Sequence, residues 1–322
     1  MKCRHLCLLF YASMIVASAQ AGDYRAPRLE GGQVDLQGVW SHRNLTPLER
    51  PADIQSFAIT REQAQQLQAK ILAKGEDLSK PAEPSLYFWE RSVEPIRGEY
   101  RSSIITDPAD GKIPANAHFK ELSKATGMAV LTAFDGPEQR PGSERCLAAI
   151  SAAPPVTLVP AADLRQIVQT PDTIIIASEE LHEARVIRMN AQHTPPAVVS
   201  WLGDSIGWWE GDTLVIETKY FAPASAPRAG PASLFFVSPD TVVTEKIRRV
   251  SPNELSYTFT VEDPTYYTQP WKGETRFERS SERMLEYACH EGNYSLAYVL
   301  QGGRATDAAR ANAPQAVSSD RK

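Results

Sequence analysis

Glu217 lies in the run TLVIETK (Thr213–Lys219), and the face it occupies decides what it can do. Side chains alternate across a strand, so Val215, Glu217 and Lys219 share one face and Leu214, Ile216 and Thr218 the other. Turned into an apolar lumen, a carboxyl is pushed up in pKa by desolvation and becomes fit for acid–base work. Turned outward, Glu217 pairs with Lys219 on the surface. The lumenal arrangement would group Glu217 with His193, Glu180 and Arg185 as a catalytic set, with Arg185 as partner for a buried carboxylate, which is costly without one.

Three further patterns resemble chemical motifs. Gly203-Asp204-Ser205-Ile206-Gly207 fits G-x-S-x-G and the G-D-S-I opening of an esterase class. Both motifs need a helix after the serine. The next segment, WWEGDTLVIETK, is β-like, so Ser205 reads as a residue in a glycine-flanked kink rather than a nucleophile. His182, in EELHE, begins no H-E-x-x-H zinc motif, because Val186 stands where the second histidine is required. His182 and His193 with a carboxylate are too few ligands to commit to a metal, and no cofactor is expected. Finally, Trp201, Trp209 and Tyr266, within a set that includes Trp208, Tyr267 and Trp271, offer large apolar area with a polar tip, which suits the walls of a ligand cavity.

These residues need a scaffold. From Pro154 onward, short β-prone runs recur between turn signals. Strands are expected at Val156–Val159, Arg165–Gln169, Thr173–Ser178, Ala184–Met189, Val198–Leu202, Trp208–Trp209, Thr213–Lys219, Thr241–Val250, Glu254–Glu262, Glu274–Ser280 and Met284–Ala288. Glu210-Gly211-Asp212 and Ser251-Pro252-Asn253 mark two hairpins. In the strand over Glu254–Glu262, Tyr257, Phe259 and Val261 alternate with Ser256, Thr258 and Thr260, so one face must be buried. About eight such antiparallel strands are best satisfied by a closed barrel, which leaves no edge; a β-sandwich is the other solution.

Before the barrel, residues 22–150 read as an extension with short helices and the first barrel strand, entered through DLQGVW (Asp35–Trp40). Thr60 to Gly75 has a capping box, Thr60 with Gln63, and a glycine stop; a second helix is expected over His118 to Thr126. The barrel is expected over residues 151–304. Residues 305–322 are small, polar and charged, and read as a disordered tail.

Residues 1–21 read as a cleavable signal peptide. Lys2 and Arg4 precede the apolar run Leu6–Ala17, and Ala19-Gln20-Ala21 supplies the small residues a peptidase needs. The run is too short to span a bilayer, and no later stretch is long enough, so no membrane insertion is expected after cleavage. Taking Lys2 and Arg4 away leaves 32 basic residues against 39 acidic ones, a formal charge of −7, which argues against nucleic-acid binding. Cys146 and Cys289 remain after cleavage. In a periplasmic or secreted protein a disulfide is the simplest use for them; a Cys289 thiol beside His290 is the rival.

Two stretches resemble known proteins. Gly38-Val39-Trp40 resembles the G-x-W signature of lipocalin-like barrels, where the tryptophan closes the barrel base under an arginine, here expected to be Arg304 of LQGGR. SWLGDSIGWWEGDTLVIET, together with ITDPADGKIP, DGPEQRPGSERCL, EDPTYYTQPW and YACHEGNY, resembles a family of uncharacterised secreted bacterial proteins with a G-D-S-x-G-x-W-E-G-D-T-L-V core. The chain departs from that family at Met189-Asn190-Ala191-Gln192, where an Asp-Gly-Arg turn is expected. The resemblance implies export, a Cys146–Cys289 bond and a mainly β, lipocalin-like barrel, and it carries no activity. The expected function is binding of a small apolar or aromatic molecule in the barrel cavity. The alternative is a hydrolase, isomerase or cyclase on the same scaffold. Convergence of Glu217, His182, His193 and Arg185 in one cavity would favour the enzyme.

Overall fold

The computed structural model describes residues 24–78, 92–140, 142, 144–147, 153–157, 164–222, 228–230 and 233–312. The expected leader and cleavage site lie outside these residues, as do Trp89, Leu158 and Val159. Among the described residues no helix is long and apolar enough to cross a membrane.

The chain is mainly β. Its strands are β1 (Gly38–Ser41), β2 (Ile105–Asp107), β3 (Leu164–Gln169), β4 (Thr173–Ser178), β5 (Ala184–Met189), β6 (Asp204–Glu210), β7 (Thr213–Lys219), β8 (Arg228–Gly230), β9 (Ser233–Phe235), β10 (Val242–Ser251), β11 (Glu254–Glu262) and β12 (Trp271–Arg279). Its helices are α1 (Arg61–Leu78), α2 (Ala117–Thr132) and α3 (Ser295–Ala311). Nine strands close a barrel in the order β1-β3-β4-β5-β6-β7-β10-β11-β12, with β12 returning to β1; β2 adds to β12, and β8 and β9 form a separate hairpin. Neighbours in the ring run antiparallel except β5 and β6, which are parallel.

Alternation decides what fills the lumen. Leu255, Tyr257, Phe259 and Val261 of β11 are each at most 2% exposed. Phe259 lies opposite Gly273 of β12, where a Cβ would come within 2.3 Å of the ring, so only glycine admits the phenyl group there. Trp40 is sealed at the barrel base, its indole N–H donating to the Leu36 carbonyl at 2.9 Å. Arg279 and Arg249 cover its ring at 5.3 and 5.7 Å. The arginine expected here, Arg304, is instead exposed on α3. A base-closing arginine is present, but the strand ends supply it.

Both expected hairpins form, with Gly211 in the left-handed region (φ +60°) between β6 and β7. The capping box on α1 also forms: Thr60 N–H donates to Gln63 Oε1 at 2.8 Å, and Gln63 N–H to Thr60 Oγ1 at 3.2 Å. Gly75 does not stop α1, which runs to Leu78. A mid-helix glycine costs only about 1 kcal/mol, which one more turn of hydrogen bonds offsets. The α1 region builds a second small core from Leu45, Ile59, Ala64, Leu67 and Val93.

Three expected elements change. Val198–Leu202 is a turn carrying a single bridge, Ser200 to Phe221, because Pro195 and Pro196 precede it and Gly203 (φ +73°) ends it. Met284–Ala288 joins no ladder: β12, which precedes it, already pairs with β1 to close the ring. The tail expected to be disordered is helical through Ala311, since the alanines of ATDAARA favour helix. Cys146 and Cys289 are joined with Cα atoms 5.8 Å apart, tying the chain ahead of β3 to the chain behind β12.

Candidate functional site

Arg185 points into the lumen from β5, and Glu245 meets it from β10; their side chains are 3% and 0% exposed. Both guanidinium NH groups donate to the carboxylate, one of them at 3.0 Å. Tyr257 donates its hydroxyl to the same carboxylate at 2.8 Å and accepts the Val156 N–H at 2.8 Å. Burial works against the Arg185 charge, but Glu245 beside it holds its pKa above the ordinary value. Burial, then the Glu245 charge, pushes the Tyr257 phenol well up, so it remains a proton donor. Around these groups the lumen leaves about 10 Å³, bounded by Trp40, Val156, Arg165, Ile167, Tyr257 and Phe277 among others. That is room for about one water.

Glu217 is not part of this interior. Leu214, Ile216 and Thr218 take the inward face and are fully buried, which turns Glu217 outward, 2.7 Å from Lys219 Nζ. There it meets His193. Nδ1 of the imidazole lies 2.7 Å from Asp204 Oδ2 and Nε2 lies 3.0 Å from Glu217 Oε1. Only the doubly protonated ring donates to both. Arg188 holds both Asp204 oxygens at 2.7 and 2.8 Å, and the Thr194 N–H donates to Oδ2 at 3.1 Å. The Tyr220 ring meets the imidazole edge-on at 5.7 Å. Burial raises the Asp204 pKa, but the hydrogen bonds from His193 and Thr194 and the Arg188 charge outweigh it and leave the group below its ordinary value. Glu217 behaves alike: burial raises it, and Lys219 and His193 more than offset that.

The strand frame explains the cluster. Even-numbered residues of β5 and β6 face outward, so Arg188 and Asp204 share the outer wall, while Arg185 and Ser205 face in. The connection from β5 to β6 crosses this wall. It leaves β5 through Asn190 in the left-handed region (φ +51°), which asparagine tolerates. His193 then pins the connection to β6 through Asp204 and to β7 through Glu217.

Beside the cluster is a cleft of about 510 Å³, lined by Ala184, Val186 and Arg188 of β5, Trp201 and Leu202 of the connection, and Asp204 of β6. Val186 is 50% exposed there. It continues an outward apolar row, since Val168 of β3 (39% exposed) faces Ile175 of β4, which faces Val186.

The expected catalytic set is therefore divided. His193 and Glu217 come together outside the barrel, Arg185 binds Glu245 inside it, and Glu180 is buried in the turn between β4 and β5. The side chain of His182 lies outside the described residues. Of the aromatics, Trp201 lines the cleft, whereas Trp209 and Tyr266 pack against the barrel core, Tyr266 stacking on His118 at 5.5 Å. Ser205 is 2% exposed and hydrogen-bonded to Thr218 Oγ1 at 2.8 Å, in a strand with no helix after it. Glu245, Asp204 and Arg188 are absent from the expected set. Glu245 had a readable signal, since it shares a strand face with Val243 and Ile247. No protein-family model matches the chain, and no curated protein matches it.

Proposed function

We propose that this protein is an extracytoplasmic binding module that takes a small apolar or aromatic-bearing molecule in the cleft between β5 and β6. The carrying observation is the cleft itself: about 510 Å³, within the range of ligand sites, with Val186, Trp201 and Leu202 presenting apolar surface at the water interface. Among the described residues, the void around Arg185 and Tyr257 in the lumen measures only about 10 Å³. The disulfide fits an extracellular or periplasmic setting, as do the leader expected at the N-terminus and the resemblance to secreted bacterial proteins.

An enzymatic reading draws on the Asp204–His193 pair, the arrangement that orients an imidazole for proton transfer. Here the second nitrogen is held by Glu217, so neither ring nitrogen is left for a substrate. The binding reading is the better supported. It is tested with 1-anilinonaphthalene-8-sulfonate, an aromatic anion that fluoresces in apolar sites. The probe should bind the wild-type protein and lose at least tenfold in affinity with Trp201→Ala or Val186→Asp at unchanged melting temperature. Equal affinity for both variants would refute the site.

A further inference from the structure

β5 meets its two neighbours unequally. On one side it pairs along its length with β4. Ser178 N–H donates to the Glu183 carbonyl at 2.8 Å, and Met189 N–H to the Asp172 carbonyl at 2.8 Å. Main-chain groups of successive strand residues point to opposite sides, so Glu183, Arg185, Ile187 and Met189 bond towards β4, while Ala184, Val186 and Arg188 point the other way. On that other side β6 stands opposite only Ile187, Arg188 and Met189. The chain approaching β6 does not extend the ladder. Residues 201 and 202 form a turn, and Gly203 donates its N–H to the Ser200 carbonyl at 3.2 Å. A Cβ at Gly203 would come within 2.8 Å of the Lys219 carbonyl, so this bend is held tightly against β7. Among the described residues, the N–H and C=O of Ala184 and the N–H of Val186 therefore face the cleft with no strand residue across from them.

We propose that the natural occupant of the cleft is an extended peptide segment, added to the open half of β5 as a short strand; this rests on the reading of the cleft as the binding site. One extended residue exchanges both main-chain bonds with Ala184, and the carbonyl of the residue two positions before it accepts the Val186 N–H. This is strand addition at a sheet edge, where main-chain bonds supply affinity and alternate side chains supply selectivity. Rising about 3.3 Å per residue, some three residues cover the open stretch. The side chain that points outward meets Val186 and Trp201, so an apolar or aromatic residue is preferred there. Arg188 and Asp204 neutralise each other at the floor, so the segment needs no net charge. A simple hydrophobe would use Trp201 and Val186 and leave the three polar main-chain groups unused, a cost that an amide backbone removes.

The test uses the whole mature protein and a blocked pentapeptide with valine, phenylalanine and valine between two lysines. A second peptide is N-methylated at the phenylalanine, and 1-anilinonaphthalene-8-sulfonate probes the cleft alone. Calorimetry should show binding of the first peptide and at least a tenfold loss on methylation. Hydrogen exchange read by NMR should slow at the Ala184 and Val186 amides when the first peptide is present. Equal affinity for the two peptides, or unchanged exchange at both amides, overturns the proposal. If the dye binds in a Trp201-dependent way and the peptide does not bind at all, strand addition is overturned and the cleft survives as a small-molecule site. If neither binds, both readings fall.

Discussion

Arg185 and Glu245 form a two-pronged ion pair across the barrel interior, from strands that are not neighbours in the ring. Charges sealed from water need each other, because removing one strands its partner in a low-dielectric site. Glu245→Gln should lower unfolding free energy by about 3–5 kcal/mol in urea denaturation. Arg185→Met combined with Glu245→Leu should cost less than either single change. A double variant as damaged as the sum of the singles would show that the two residues act independently.

The outer cluster predicts an acid dependence. Asp204 and Glu217 both titrate below their ordinary values in the folded protein. A carboxyl whose folded pKa lies below its unfolded one contributes stability above the unfolded value, about 4, and loses that contribution as pH falls through the folded value. Melting temperature should therefore decline below about pH 4, more steeply in the wild type than in Asp204→Asn. Scanning calorimetry between pH 2 and 6 would check it, and parallel curves for the two proteins would contradict it.

The Cys146–Cys289 bond closes a loop with a sequence separation of 143 residues. Chain entropy assigns such a loop about 5 kcal/mol before native-state strain. Reduction, or the pair Cys146→Ser and Cys289→Ser, should lower the melting temperature. It should also expose residues 284–311 to protease ahead of the barrel strands, because α3 buries only Leu300 and Gly303 of its own. Mass spectrometry of early proteolytic fragments would reveal whether the cuts fall there.

Gly273→Ala is a sharper probe than its size implies. The added methyl would sit 2.3 Å from the tip of the Phe259 ring, which Trp271 and Tyr257 also contact. Overpacking of this kind costs about 1–3 kcal/mol, and denaturant titration should find it. Phe259→Leu in the same chain should recover part of the loss.

The barrel was legible in the sequence because its signals are local. Alternation in ELSYTFTVE and TLVIETK, and the β-prone run TIIIAS, marked strands whose observed limits are Glu254–Glu262, Thr213–Lys219 and Thr173–Ser178. The site was less legible, for a reason of geometry. Alternation shows that Glu217 and Ile216 point to opposite sides, but which side is the lumen depends on the flanking strands. Ser205 could be dismissed as a nucleophile because its motif carries a local requirement, the following helix. The partnership of His193 with Asp204 depends on how the β5–β6 connection crosses the wall, and no spacing encodes that path. Arg249 and Arg279 over Trp40 were missed alike, since three distant strand ends must meet before the stack exists.

The parallel contact between β5 and β6 also has an arithmetical meaning. Each antiparallel step around a ring reverses the direction of the chain, and the circuit must return to its starting direction. An even number of strands can do so with antiparallel steps alone. Nine cannot, so one pair must run the same way, and in this ring that pair is β5 and β6. Joining two parallel neighbours obliges the chain to travel back along the barrel wall, and residues 190–203 make that journey. His193, Trp201 and the half-open edge of β5 are thus products of strand parity. Substitutions can alter what the cleft accepts, but only the gain or loss of a strand would remove the need for it.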